Sequence, residues 1–263
     1  MAMRRSTRRR VVRLALYALF VAIIAFALLR TDWSRVASQF LRWDIAADQF
    51  PQIITIALRN TLLFTLIAFT GGLLLGILLA LMKLSSIGPY RWFATGYIEL
   101  FRGLPALLTI FAIGYMLPIA LGIQVPFRPV GSGLLGLILV AGAYMAEVIR
   151  AGIQAVPKGQ TEASRSLGMS SFRTMMFVVL PQGFRITIPP MTNEFVLLLK
   201  DTSLLFIVGT TPFLKELTVF ARDEASRTGN ATVLVMAAML YLVVTIPLTR
   251  FAAYLERRLA RSR

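Results

Sequence analysis

Few residues in this chain have the capacity for chemistry, and they are unevenly placed. Lysine and arginine number 28 and aspartate and glutamate 12, while cysteine and histidine are both absent. Lacking thiols and imidazoles, the chain has no disulfides, no zinc fingers and no Ser-His-Asp triad. No Gly-Lys dipeptide occurs, so the phosphate-cradling Gly-x4-Gly-Lys-Ser/Thr loop is missing, and any ATP that drives this protein must be bound by another subunit. Glu99, Glu147, Glu194 and Asp201 are the acids in or beside apolar runs, and none has a partner in a recognisable catalytic motif. Glu194 says the most about function. It follows Pro189 and Pro190, which free backbone carbonyls mid-run, and a lone carboxylate there is costly unless it faces water or a cation. Asn193, Lys200, Asp201, Thr202 and Ser203 surround it with donors and acceptors, although the adjacent Lys200 and Asp201 also fit a helix end at the interface.

A second group of residues lies between apolar runs, in the stretch from Glu147 to Arg185. Pro157 suits the first turn of a helix, Gly168 a left-handed C-terminal cap, and Ser170 or Ser171 the N-cap of the next helix, which runs toward Pro181. The spacing predicts a short helix of about three turns outside the bilayer. Ala163 and Leu167 share one face of it, and Gly159, Ala163 and Ser164 are small enough to let another surface approach closely.

The elements that must position these residues are written in the composition. Of 263 residues, 57% are hydrophobic and only 15% charged, and the mean hydropathy is +0.73. A soluble domain is about 45 to 50% apolar and about 25% charged, so this chain is made for lipid. A transmembrane helix needs about 20 mostly apolar residues. Leu62 to Met82, Gly103 to Phe127, Pro129 to Ala146 and Thr228 to Thr249 meet that requirement, Leu14 to Leu29 is a shorter first span, and Ile186 to Leu214 is long enough but charged. The expectation is an all-α membrane protein of about six transmembrane helices. The net charge of +16 does not indicate nucleic acid, because the arginines crowd both ends, from Arg4 to Arg13 and from Arg250 to Arg263. Six spans with both termini inside leave only Arg30, Arg35, Arg42, Arg128, Lys215, Arg222 and Arg227 outside, as the positive-inside rule requires. The first 29 residues also have the features of a cleavable secretory signal, with Ala25-Phe26-Ala27 as the small-x-small site, but the apolar stretch is longer than a signal needs and reads as a retained anchor. Thr31 to Phe50 reads as an amphipathic segment on the outer surface.

In the long loop, Glu162-Ala163-Ser164 is followed after three residues by Gly168, and after nine more by Val178-Val179-Leu180-Pro181. This resembles the cytoplasmic signature of ABC importer permeases, Glu-Ala-Ala, three residues, Gly, nine residues, Ile-x-Leu-Pro, with Ser164 and Val178 as mild departures. Tyr144 to Ile153, Val156 to Gln160, Leu180-Pro181-Gln182, Asn193-Glu194 and Lys200 to Leu204 look like the polar amino acid subfamily, of the histidine and glutamine permease type. Tyr97 to Pro105 looks like its Arg-Gly-Thr-Pro segment, with Leu104 in place of threonine and Thr109 where a glutamine is common.

The resemblance implies a five-span importer core over 53–255 with a cytoplasmic coupling helix, preceded by an anchor helix and outer segment over 1–52 and followed by a basic cytoplasmic tail over 256–263. It implies a multi-pass protein of the bacterial inner membrane and a chain that performs no bond chemistry. Implied partners are a dimer of ATPase subunits that binds ATP and Mg, a second permease subunit, identical or homologous, an extracytoplasmic substrate-binding protein, and an amino acid or close analogue as cargo. Gly159, Glu162, Ala163, Ser164, Leu167, Gly168 and Pro181 would grip the ATPase. Asn193, Glu194, Lys200, Asp201, Thr202 and Ser203 would line the path, with Glu194 on the ammonium of the amino acid. The alternative is a gradient-driven secondary transporter or channel, which calls for an ionisable relay or two related halves.

Overall fold

The computed structural model describes residues 5–260, which are mostly helical with no strand among them. Arg4, Arg261 and Arg263 of the terminal basic clusters, and the end of the 256–263 tail, lie outside the described residues. The chain opens with α1, Arg5–Arg30, exposed throughout its apolar stretch from Val12. Two short helices follow, α2, Trp33–Phe40, capped by Asp32, whose side chain accepts from the Arg35 N–H, and α3, Trp43–Gln52. A π-helical segment, Ile53–Leu58, leads into α4, Arg59–Leu84.

The centre of the fold is α4 packed on α8, Val130–Gln154. Phe64 and Ala68 of α4 meet Leu137, Ala141 and Met145 of α8 in the largest buried cluster. Lipid tails are as apolar as these side chains, so association rests on close van der Waals packing. A Cβ added at Gly72 would stand 2.7 Å from that of Ala141, so this contact admits nothing larger than glycine.

Between these helices run α5, Gly88–Gly103, α6, Ala106–Phe111, a π-helical stretch, Ala112–Met116, and α7, Leu117–Leu121. Beyond α8 come α9, Lys158–Ser166, α10, Ser171–Thr174, the π-helical Met175–Val179 and α11, Leu180–Asp201. Helix α11 packs on α8, α4 and α13, Thr232–Ala260. At Gly152 the backbones of α8 and α11 come so close that an added Cβ would lie 2.2 Å from Cγ2 of Thr187.

After α11 a 3-10 turn, Thr202–Ile207, carries the chain to α12, Leu217–Thr228. Polar ties hold this connection in place. Asn60 donates to the carbonyls of Phe213 and Lys215 at 2.8 and 3.0 Å, and the Leu217 N–H donates to Thr61 at 3.0 Å. Glu216 caps α12 by accepting from the N–H groups of Thr218 and Val219, both at 2.7 Å, and takes a third bond from the Tyr241 hydroxyl at 3.0 Å.

Among the described residues four helical stretches are long and apolar enough to cross a bilayer, or five if Gly88–Gly103 and Ala106–Leu121 form one span bent by 106°. The apolar run from Gly103 to Phe127 is therefore not one straight helix. Helix α5 ends at Gly103, Pro105 starts the next helix, and Gly122, left-handed at φ +64°, ends it before Phe127. The run from Ile186 to Leu214 is likewise redrawn, since α11 starts earlier at Leu180 and stops at Asp201. Helix α8 continues to Gln154, eight residues past the expected end at Ala146, so the connecting loop begins at Ala155 and not at Glu147. The segment from Thr31 to Phe50, read as amphipathic, folds into the short helices α2 and α3, and the boundary drawn at residue 52 lies within a continuous helical path into α4.

Candidate functional site

Helix α9 stands between α8 and α11 as a separate short rod. Pro157 occupies its N-cap, where a missing N–H costs nothing. At its far end the Gly168 N–H donates to Arg165 O at 3.0 Å, and the Met169 N–H donates to Ser164 O at 3.1 Å. Those two bonds are the Schellman motif, and it needs a left-handed residue, which Gly168 supplies at φ +82°. Ser170 then caps α10 by accepting from the Arg173 N–H.

Gly159, Glu162, Ala163 and Leu167 are all exposed, Leu167 at 84%. Ser164 is turned inward, where its hydroxyl contacts the Thr161 carbonyl at 2.9 Å and Thr174 Oγ1 at 3.1 Å, so it braces α9 against α10. Pro181 stands where the π-helical Met175–Val179 passes into α11, an interruption of the α-helical bonding that a residue without an N–H fits. Phe172, 72% exposed beside Leu167 in sequence, adds apolar area that the signature did not point to; an aromatic among the polar residues 170–174 was the available signal.

Just before this loop, Glu147 accepts from Lys83 Nζ at 2.5 Å and from Arg150 Nη2 at 2.7 Å, and Arg150 also holds Gln154 at 2.5 Å. The cluster ties the end of α4 to α8. It also accounts for Glu147, which is consumed in ion pairs and has no catalytic partner.

Along α11, residues seven apart share a face. Glu194 and Asp201 are such a pair, and both line a cavity of about 200 Å³ walled by Ala106, Leu137, Tyr144 and Leu198. The Arg102 guanidinium lies 5.5 Å from the Tyr144 ring centroid, and its charge and that of Asp201 both act on Glu194. Asn193 and Lys200, also seven apart, lie on an exposed face away from this cavity. Thr202 is fully buried and spends its hydroxyl on Leu199 O at 2.7 Å, while Ser203 is half-buried outside the cavity lining. Of the six candidate path residues, then, the structure brings two to a common cavity. Tyr144, its other polar wall, and Arg102, which lies over that ring, were within the segments that carried the resemblance but were not among the candidate path residues.

Outside the spans, burial pushes the Glu216 carboxyl above its ordinary value of 4.5, against the bonds from Thr218, Val219 and Tyr241. Burial also raises Asp223, but hydrogen bonds from Lys215 and Arg222 outweigh it and hold that group below its ordinary 3.8. Among the described residues no cluster of three or more acids exists that could hold a metal ion.

The architecture is thus a helical core with membrane-length spans, a short rod between two of its helices and a small carboxylate-lined cavity within it. Residues 72–261 match the family described as the binding-protein-dependent transport system inner membrane component. The chain belongs to this family of ABC importer permeases, in which the ATPase is a separate subunit and a substrate-binding protein delivers the cargo. It is 34% identical to the L-cystine transport system permease protein TcyB of Bacillus subtilis over 221 residues, covering 83% of this chain and 92% of that one. It is 37% identical to the probable glutamine ABC transporter permease protein GlnM of Bacillus subtilis over 204 residues, 77% of this chain and 91% of that one. A crystal structure of an amino acid ABC transporter with histidines superposes with a TM-score of 0.75 at 35% identity, covering 83% of this chain and 99% of the other.

Proposed function

We propose that this permease subunit imports an amino acid or close analogue, with α9 as the element its ATPase grips and the cavity at Glu194 and Asp201 as part of the path. The observation that carries the reading is the signature stretch itself. It folds as a rod with a bare outer side, a left-handed glycine and a second helix that continues into the span bearing both carboxylates. A push on α9 is therefore delivered to α11. A paired carboxylate wall suits the ammonium of an amino acid, and Arg102 suits its carboxylate. Two permease subunits would stand on two ATPases that bind ATP and Mg, with both chain termini and α9 on the cytoplasmic side and α12 on the outer side, where the binding protein docks.

The absence of cysteine from the sequence makes the test clean. Single cysteines at Ser166 and at Asp223, probed with a membrane-impermeant maleimide in oriented vesicles, should label from the cytoplasmic and the outer side respectively. Leu167→Cys should form a cross-link with the ATPase. Labelling of Ser166→Cys from outside would end the coupling assignment, because the ATPase could not reach the loop.

A further inference from the structure

A larger cavity, of about 660 Å³, lies outside the path, between the α2–α3 corner and the first turns of α13. It is a built feature. The corner is bolted to the start of α13 by three hydrogen bonds: Asn230 Nδ2 to Ser38 O at 2.8 Å, Ala231 N to Gln39 O at 2.9 Å and Arg42 N to Thr232 Oγ1 at 3.0 Å. Below those ties the walls are apolar, with Phe40, Ala47 and Phe50 on one side and Val235, Met239 and Leu240 on the other. Phe40, Phe50 and Met239 remain 44%, 59% and 56% exposed, so no other part of the described chain fills the groove.

Two facts identify the occupant. One wall is a membrane span, so the groove descends from the water boundary to acyl depth, and Trp43, 83% exposed at its mouth, is the side chain type that settles at headgroup level. The mouth also carries a matched pair of charges. Arg42 binds Asp44 through Nε at 3.0 Å and through Nη2, leaving both half or more exposed, with side-chain accessibilities of 50% and 62%. A guanidinium fits a phosphodiester, and the neighbouring carboxylate fits an ammonium. We propose that this groove holds an acyl chain of an aminophospholipid, with the phosphate on Arg42 and the ammonium on Asp44. The site requires only that α13 spans the bilayer, and it stands whichever substrate the permease carries.

The full chain, reconstituted in vesicles of phosphatidylethanolamine and phosphatidylglycerol, can be probed with a trace of either lipid bearing a photoactivatable acyl chain. The phosphatidylethanolamine probe should mark the peptides containing Ala47 and Met239. Ala47→Trp and Met239→Trp, which fill the groove, should each cut that labelling about tenfold, the equivalent of excluding about two methylenes. Asp44→Asn, a surface change that spares the walls, should lower the preference for phosphatidylethanolamine over phosphatidylglycerol and so decides the matter even if a tryptophan variant misfolds. Equal labelling by both lipids in the native chain, labelling unchanged by both tryptophans, or cross-links from these peptides to a second copy of the chain would overturn the proposal.

Discussion

Replacing Gly168 isolates the turn that ends α9. No atom lies within 4 Å of a Cβ built there, so a side chain meets no steric obstacle and the cost is purely conformational. At φ +82° an ordinary L-residue loses about 1 to 2 kcal/mol, asparagine less, and a β-branched residue more. Gly168→Asn should therefore keep the bonds from Gly168 N to Arg165 O and from Met169 N to Ser164 O, Gly168→Ala should weaken them, and Gly168→Val should break them. A loss of about 1.4 kcal/mol is a tenfold fall in the equilibrium constant for forming the intact turn, so the valine chain should hold α9 in its native angle least of the series. The assay is ATP hydrolysis and substrate uptake measured together in proteoliposomes containing the ATPase and binding protein. Uptake per ATP should fall in the order Gly, Asn, Ala, Val, with assembly into the membrane unchanged. An Asn variant as impaired as the Val variant would show that the defect comes from side-chain bulk at the partner surface, and full coupling by the Val variant would remove the turn from the mechanism.

Four further outcomes follow from the geometry. Glu194→Gln and Asp201→Asn should each impair uptake in proteoliposomes while leaving ATPase assembly intact, whereas Asn193→Ala should have little effect; the reverse ranking would move the path to the exposed face of α11. Glu147→Ala strands Lys83 and Arg150 and should cost about 2 to 3 kcal/mol in unfolding of the detergent-solubilised chain, with Glu147→Gln costing less; no change would mean the cluster is solvated. Gly152→Ala should destabilise by about 1 to 3 kcal/mol because α11 must move off α8, and normal stability and uptake together would show that this contact is already loose. Glu216 holds its proton more tightly folded than unfolded, so stability falls as pH rises from 4.5 through its folded value, while Asp223 acts oppositely and withdraws its contribution below 3.8. Glu216→Gln should flatten the upper part of the pH–stability curve and leave the acid limb in place.

Local chemistry was legible in the sequence. Pro157, Gly168 and Ser170 punctuate the loop between α8 and α11 where their backbone preferences require, and the cost of a carboxylate in an apolar run pointed to Glu194. Features that depend on distant residues were not legible. Helix α8 extends through Glu147, which pairs both with Arg150 one turn on and with Lys83, 64 residues earlier, and no window on the local sequence contains the second partner. The break at Gly103–Pro105 was visible as a glycine and proline but lost in a run defined by hydropathy, which measures composition and not direction. The equivalence of Glu194 and Asp201 follows from a seven-residue spacing, yet only the packing of α11 on α8 shows that Tyr144 faces them while Asn193 and Lys200 turn away. Ser164 was read by its size as a partner contact, and its hydroxyl instead found Thr174 inside the loop.

The π-helical segment Met175–Val179 gives the nine-residue spacer of the loop a meaning that lies in its length. A π turn accommodates one residue more than the α-helix it interrupts, and each residue advances a helix by about 100°. The segment thus sets the phase of the screw on which the two carboxylates are cut. A chain one residue shorter at this point would close the π turn into α-helix and keep the carboxylates at the cavity, but one shortened by a residue between Leu180 and Glu194, with the π turn and everything upstream held, would bring Phe195 and Thr202 there in place of Glu194 and Asp201. Its composition and hydropathy would be almost unchanged, but the carboxylates would be out of phase with the cavity.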